Sequence, residues 1–331
     1  MNASVIGGGS WGSAFALYLG RLGLRTKLWV REPEIYAAMV ERRENPVFLP
    51  GFTFSDDVSF HHGIEAAMAG SDLLFIAVPS AYCRKVYARL APHLEPHQAI
   101  VSLTKGIEKR TLMRMSQVLR EECGPSRHPK VGVLSGPSFS REVAECHPTA
   151  LVLASGEAAW AKRVQHLISG PSLRVYTSQD VTGVELAGAL KNVIAIAAGL
   201  LDAMDFGYNS RAALMTRGLA EIARLGLKLG AHRDTFAGLA GMGDLLLTCT
   251  GPLSRNRSVG FELGRGRRLR DIISHMRMVA EGLPTTVSAR ELARRENVDM
   301  PIVEQVYQVL YRGKDPRKAL ADLMSRSLKE E

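Results

Sequence analysis

The first half of the chain alternates short apolar or β-branched runs, at 4–6, 26–30, 73–78, 99–103, 131–134 and 151–154, with stretches of helical periodicity. Strands alternating with helices predict a parallel sheet covered on both faces, whose strands read as continuous apolar runs because both sides are buried. From about Asp180 the strand candidates give way to long helical stretches. Met215, Leu219, Ile222, Gly226 and Leu229 step by 4, 3, 4 and 3, which places them on one helix face. The pattern predicts an α/β doubly wound domain over residues 1–179 and an all-α domain over 180–331. The small residues Gly188, Ala189, Ala195, Ala197, Ala198 and Gly199 permit close helix packing, within the chain or against another subunit.

A chain of 331 residues with 46 % apolar and 23 % charged content fits a soluble globular protein of two ordinary domains, with a core that needs no staples. Cys83, Cys123, Cys146 and Cys249 are far apart and form no CxxC pair. Neither a zinc site nor a disulfide framework is expected, and a reducing cytoplasm is the predicted location. His61 and His62 are adjacent and the other histidines dispersed, so no metal site is expected. The first strand begins by Ser4 and enters a glycine loop at Gly7, so no export signal is expected. The longest apolar run, 193–201, falls well short of the ~20 residues that span a bilayer. It reads as a buried core helix, and no membrane span is expected. The net charge of +9 comes from scattered basic residues, and the densest cluster, 265–270, lacks interleaved aromatics. That excess suits steering of small anionic ligands better than nucleic-acid binding.

Gly7-Gly8-Gly9-Ser10-Trp11-Gly12 fits G-x-G-x-x-G, directly after a strand and before the helical pattern Phe15, Leu19, Leu22. In that setting the first glycine permits the tight turn, the second lets a pyrophosphate approach the backbone, and the third lets helix and strand pack closely. The following helix presents its N-terminal amides to the phosphates. The alternative is a plain glycine-rich turn. The second strand ends at Arg31, 19 residues past Gly12, where an Asp or Glu usually grips the ribose. Arg31 suits the 2′-phosphate of NADP(H), the favoured cofactor, while Glu32 beside it keeps NAD(H) possible.

Polar residues gather among glycines in three further segments, as a pocket requires. Lys105 follows the strand 99–103, either reaching toward an anionic substrate or lying on the surface. Ser135, Gly136, Pro137, Ser138 and Ser140 form a loop that offers amides and hydroxyls to an anion, or a capped helix start. Glu185, Lys191 and Asn192 lie in the most apolar helix of the chain, where charged and amide groups are costly unless paired or functional. Lys191 reads as an acid-base group, against the alternative of a boundary residue whose ammonium snorkels. Further on, Asp244 is placed to orient Lys191 or a substrate hydroxyl, and Arg255 reads as a bidentate phosphate clamp. Asn256 and Arg257 read equally well as a solvated loop.

Taken in order, these motifs resemble the bacterial NAD(P)-dependent sn-glycerol-3-phosphate dehydrogenase family over nearly the whole chain. The resemblance runs through the glycine loop, Asn45 with Leu49-Pro50-Gly51, segments 102–108 and 135–139, the helix 185–199, Thr235 to Asp244, Thr248-Cys249, Ser254 to Arg257 and Glu281-Gly282. It implies a Rossmann-type domain followed by a helical domain, a cytoplasmic homodimer, and reversible reduction of dihydroxyacetone phosphate to sn-glycerol 3-phosphate for glycerophospholipid synthesis. It implies Lys191 as the acid-base residue, and Lys105, Gly136, Ser138, Asp244, Ser254, Arg255 and Asn256 as substrate contacts. Ser10, Trp11, Arg31, Lys105, Ser140, Arg255, Val279 and Glu281 would be cofactor contacts, beside Gly7, Gly9 and Gly12. Ser140, Asp205-Phe206 and Thr250-Gly251-Pro252-Leu253 depart from the family's usual residues, and none removes a charge the chemistry needs. The alternatives are a two-domain dehydrogenase for another small hydroxy acid or sugar acid, and a protein that senses NADP(H) without turnover.

Overall fold

The computed structural model describes residues 1–124 and 129–328, so the last three residues of the expected helical domain, 329–331, lie outside them. Ten strands are present among the described residues: β1 (Ala3–Ile6), β2 (Thr26–Trp29), β3 (Glu44–Asn45), β4 (Leu49–Thr53), β5 (Val58–His61), β6 (Leu73–Ile76), β7 (Ala99–Ser102), β8 (Lys130–Ser135), β9 (Thr149–Ala154) and β10 (Leu173–Ser178). Eight form one sheet in the order β10-β9-β8-β7-β6-β1-β2-β5, and β3 and β4 pair separately as a small antiparallel ribbon. The chain starts at β1, winds outward to β2 and β5, then returns to β6 on the other side, which is the doubly wound topology expected. β1 and β6 are buried at every position, as strands covered on both faces must be.

The sheet departs from the expected all-parallel arrangement in one place: β8 and β9 pair antiparallel, Val133 opposite Ala154. The only helix between them, Ser140–Ala144, has five residues. At about 1.5 Å per residue it cannot retrace a strand of about 20 Å, so the chain re-enters from the same end. β5 and β10, absent from the sequence reading, are the two edge strands. In β10, Leu173 and Val175 are buried while Arg174 and Tyr176 are exposed, an alternation of period two that a search for continuous apolar runs passes over.

Contacts divide the chain into two compact units, Met1–Lys105 with Met113–Glu185, and Gly106–Leu112 with Leu186–Glu331. The division falls inside the helix Val181–Ala203, and it gives the second unit a segment, 106–112, that the sequence reading kept in the first. Ile107 supplies the reason: its side chain lies in the second unit's apolar core, and its carbonyl accepts from Ser288 Oγ at 3.2 Å.

The second unit is helical. Val181–Ala203 has the length and apolar content of a membrane span, yet its whole apolar window is buried inside the protein, as in a core helix. One of its small residues, Gly199, serves a contact within the chain. A Cβ on Gly199 would sit 1.9 Å from the carbonyl oxygen of Arg257, and one on Gly260 would sit 1.9 Å from that of Ile196. The helices Val181–Ala203 and Arg255–Gly264 therefore cross backbone to backbone, which sets Lys191 and Asn192 close to Asn256. In the helix Tyr208–Lys228 the buried stripe is Leu214, Gly218, Ile222, Leu225 and Gly226; Met215, Leu219 and Leu229, expected in it, flank it instead.

Candidate active site

In the first unit the glycine loop leaves β1 and enters the helix Ser10–Arg21. Gly7 has φ +125°, in the region that favours glycine, and its amide donates to the carbonyl of Trp29 at 3.3 Å. A Cβ on Gly12 would lie 1.8 Å from the Gly7 carbonyl oxygen, whereas one on Gly9 would meet nothing within 4 Å. The loop thus packs tightly at Gly7 and Gly12 and is open at Gly9, the form a pyrophosphate requires. The indole Nε1 of Trp11 is buried and has no hydrogen-bond partner among the described residues. These residues fit a dinucleotide.

Arg31 and Glu32, weighed as alternatives for the ribose end, form one ion pair. Arg31 Nε donates to Glu32 Oε1 at 2.9 Å, Nη2 donates to the same oxygen, and the guanidinium lies 5.7 Å from the ring centroid of Tyr82. Lys105, half-buried, donates from Nζ to the carbonyl of Gly136 at 2.9 Å, and Ser138 Oγ donates to the same carbonyl at 3.0 Å. Gly136, at φ +138°, presents that carbonyl to both. Ser140 opens the short helix that follows. Glu185 is engaged elsewhere in this unit: it accepts from the Ser116 amide at 2.8 Å, from Ser116 Oγ at 2.6 Å and from Arg114, closing the start of the helix Met115–Cys123.

The second unit holds a buried polar cluster. Lys191 Nζ donates to Asp244 Oδ1 and, at 2.7 Å, to Thr248 Oγ1. Asp244 begins the helix Asp244–Thr250 directly after a π-helical turn, Leu239–Gly243. Thr248, which the sequence reading did not count as a site residue, lies four residues on and donates to the Asp244 carbonyl at 2.6 Å. The i, i+4 spacing was the available signal. Next to Lys191, Asn192 Oδ1 accepts from Asn256 Nδ2 at 2.9 Å, and Asn256 Oδ1 accepts from the Gly282 amide at 2.9 Å. Ser254 caps the helix Arg255–Gly264, its Oγ accepting from the Arg257 amide at 3.3 Å.

Arg255 is exposed at its surface and donates from Nη1 to the carbonyl of Val279 at 3.0 Å. The protein crowded around it pulls its pKa below the usual value, and the Glu281 carboxylate pushes the other way. Arg255, Val279 and Glu281 are therefore neighbours. Arg255 also lines a pocket of about 240 Å³ with Leu253, Val259, His275 and Met276, apart from the Lys191 cluster. Neither Asn256 nor Arg257 belongs to a solvated loop: Asn256 is 8 % exposed, and Arg257 Nε donates to Asp202 at 2.6 Å. Among the described residues no group of three or more His, Cys, Asp and Glu side chains is placed to hold a metal ion.

The family models for NAD-dependent glycerol-3-phosphate dehydrogenase match residues 2–161 with their N-terminal part and 180–321 with their C-terminal part. The chain belongs to this family. It is 53 % identical over 327 residues to glycerol-3-phosphate dehydrogenase [NAD(P)+] of Syntrophobacter fumaroxidans, covering 99 % of this chain and 96 % of the relative. It is 54 % identical to the enzyme of that name from Geobacter sulfurreducens, covering 99 % and 98 %. A crystal structure of glycerol-3-phosphate dehydrogenase from Coxiella burnetii superposes with a TM-score of 0.94 at 36 % identity, over 98 % of this chain and 99 % of that one. Within the family, the Rossmann-type sheet and the helical second part are the fold this chain shares.

Proposed function

We propose that the chain reversibly reduces dihydroxyacetone phosphate to sn-glycerol 3-phosphate with NADPH or NADH, as a cytoplasmic homodimer that feeds glycerophospholipid synthesis. The observation that carries the chemistry is the Lys191 ammonium, 6 % exposed and held by Asp244 and Thr248. A bound nicotinamide supplies the hydride. Lys191 gives its proton to the carbonyl oxygen as that oxygen gains charge, and takes it back in the reverse direction. Asp244 and Thr248 fix the direction from which the proton comes.

Asn256 has one N–H and one lone pair left beyond its bonds to Asn192 and Gly282, enough to hold a substrate oxygen. Arg255 keeps guanidinium donors beyond the one used on Val279, and it holds the phosphate with help from Ser254. Lys105, Gly136 and Ser138 contribute further substrate contacts. Gly7, Gly9, Ser10, Trp11, Gly12, Arg31 and Ser140 hold the dinucleotide, with Lys105, Arg255, Val279 and Glu281.

The experiment is to follow absorbance at 340 nm with purified protein and dihydroxyacetone phosphate, supplying NADPH or NADH, with dihydroxyacetone as the unphosphorylated control. Oxidation that requires the phosphate is expected. Binding of dinucleotide with no oxidation would instead favour another substrate or a sensing role.

A further inference from the structure

We propose that Glu32 sets how strongly this chain prefers a dinucleotide carrying a 2′-phosphate, by holding Arg31 in a pair that a ribose hydroxyl leaves intact and a phosphate must open. The inference rests on the dinucleotide reading of the glycine loop. β2 lies beside β1, and Val30 packs so closely on the loop that a Cβ on Gly8 would lie 3.1 Å from its side chain. Arg31 and Glu32 follow at once, at the place where an acid accepts the ribose 2′-hydroxyl or a basic residue takes the 2′-phosphate. This chain carries both, and they are joined. Tyr82, in the helix Ser80–Leu90 that follows β6, meets Arg31 from the other side of β1, so the guanidinium is flanked by residues that follow both strands beside β1.

Both bonds from Arg31 fall on Glu32 Oε1. A ribose hydroxyl donating to Oε2 therefore leaves the pair in place. A 2′-phosphate needs the donors that Glu32 occupies and brings negative charge against the Glu32 carboxylate. The side chains of Arg31 and Glu32 are 62 % and 27 % exposed, and water-screened pairs of this kind are worth no more than about fivefold in an equilibrium constant. Such a pair biases the choice without forbidding either cofactor.

The test is calorimetric binding to the full chain of NADPH, NADH, 2′,5′-ADP and 5′-ADP, comparing the natural sequence with Glu32→Gln and Glu32→Ala. Removing the carboxylate is expected to tighten NADPH relative to NADH, and 2′,5′-ADP relative to 5′-ADP, by about two- to fivefold. An unchanged thermal midpoint and circular dichroism spectrum report that each variant is folded, and the two variants guard against a local defect in one. An unchanged ratio, or one that moves toward NADH, overturns the inference while leaving the loop reading intact. If the natural chain binds neither NADPH nor NADH, the loop reading itself fails and the inference with it.

Discussion

Lys191 and Asp244 meet as a buried ion pair, the lysine 6 % and the aspartate 0 % exposed, although 53 positions separate them in the chain. Two charges withdrawn from water are costly unless each is paired and the remaining hydrogen-bonding capacity is met. One helical turn supplies both partners of the ammonium: Asp244 gives the carboxylate, and Thr248 gives a hydroxyl that accepts from the ammonium and donates to the Asp244 carbonyl. The cluster keeps a fixed ammonium in an apolar helix, an arrangement of little use for packing and well suited to delivering a proton.

Replacing Lys191 with Met keeps most of the side-chain volume and removes the ammonium. The expected result is a loss of about 10²–10⁴ in kcat, the usual worth of general acid-base catalysis, with dinucleotide affinity nearly unchanged. Asp244 then stays buried without its partner, which is expected to lower stability by about 3–5 kcal/mol. Kinetics should therefore be read where circular dichroism shows the variant folded. Full turnover in folded Lys191→Met would remove Lys191 from the mechanism.

Gly9 and Gly12 separate binding from folding. Gly9 has φ −73° and ψ −177°, open to any residue, and a Cβ there meets no protein atom. Gly9→Ala is expected to keep the thermal midpoint and to lose at least about tenfold in NADPH affinity, because the methyl stands where the pyrophosphate approaches. Gly12→Ala forces a methyl against the Gly7 carbonyl, and a stability loss of about 1–3 kcal/mol is expected even without ligand. Thermal melts with and without NADPH distinguish the two, and wild-type binding by Gly9→Ala would count against the loop as a phosphate site.

What could be read from residues alone followed range of contact. The glycine loop, the central strands and the charged groups in the apolar helix are written locally, in a motif, a run or a misplaced charge. The antiparallel entry of β9 depends on how short a five-residue helix is, and the edge strands β5 and β10 depend on having a neighbour on one side only. Arg257 looks like a loop residue until Asp202, 55 positions away, takes its charge. Asn256 looks the same until Asn192 and Gly282 converge on its amide. The pairings of Arg257 and Asn256 are long-range, and no local pattern of side chains encodes them, whereas β10 does carry a local signal in its period-two alternation.

Glu221 makes stability depend on pH. Its carboxylate, 2 % exposed, accepts from the amides of Ile302 at 2.8 Å and Val303 at 3.3 Å, at the start of the helix Pro301–Arg312. Burial pushes its pKa from 4.5 up to about 7, against the opposing pull of those amides. Between these values the native state holds a proton that the unfolded chain has released. The group's contribution is therefore full below pH 4.5 and is lost as pH rises toward 7, by up to about 3 kcal/mol. Urea titrations from pH 4.5 to 7.5 should show this fall in the natural chain and a flatter profile in Glu221→Gln. Parallel profiles would mean that the helix amides keep the carboxylate ionised.

The cysteines offer a probe of each unit. Cys146 is exposed, at φ +61°, with Arg21 Nη1 donating to its Sγ at 3.0 Å. Cys83, Cys123 and Cys249 are buried, and burial pushes the Cys249 thiol up to about 12, so it offers almost no thiolate at neutral pH. A thiol reagent is expected to modify one cysteine per native chain quickly and the other three only as the chain opens. More than one fast thiol would mean that the core admits reagent, and none would mean that Cys146 is covered. The slow thiols carry further information, because Cys83 and Cys123 belong to the first unit and Cys249 to the second. Peptide mapping of the modified protein should give Cys83 and Cys123 a common rate. If Cys249 reacts at that same rate, the two units unfold as one; a separate rate for Cys249 means that the helical unit opens on its own.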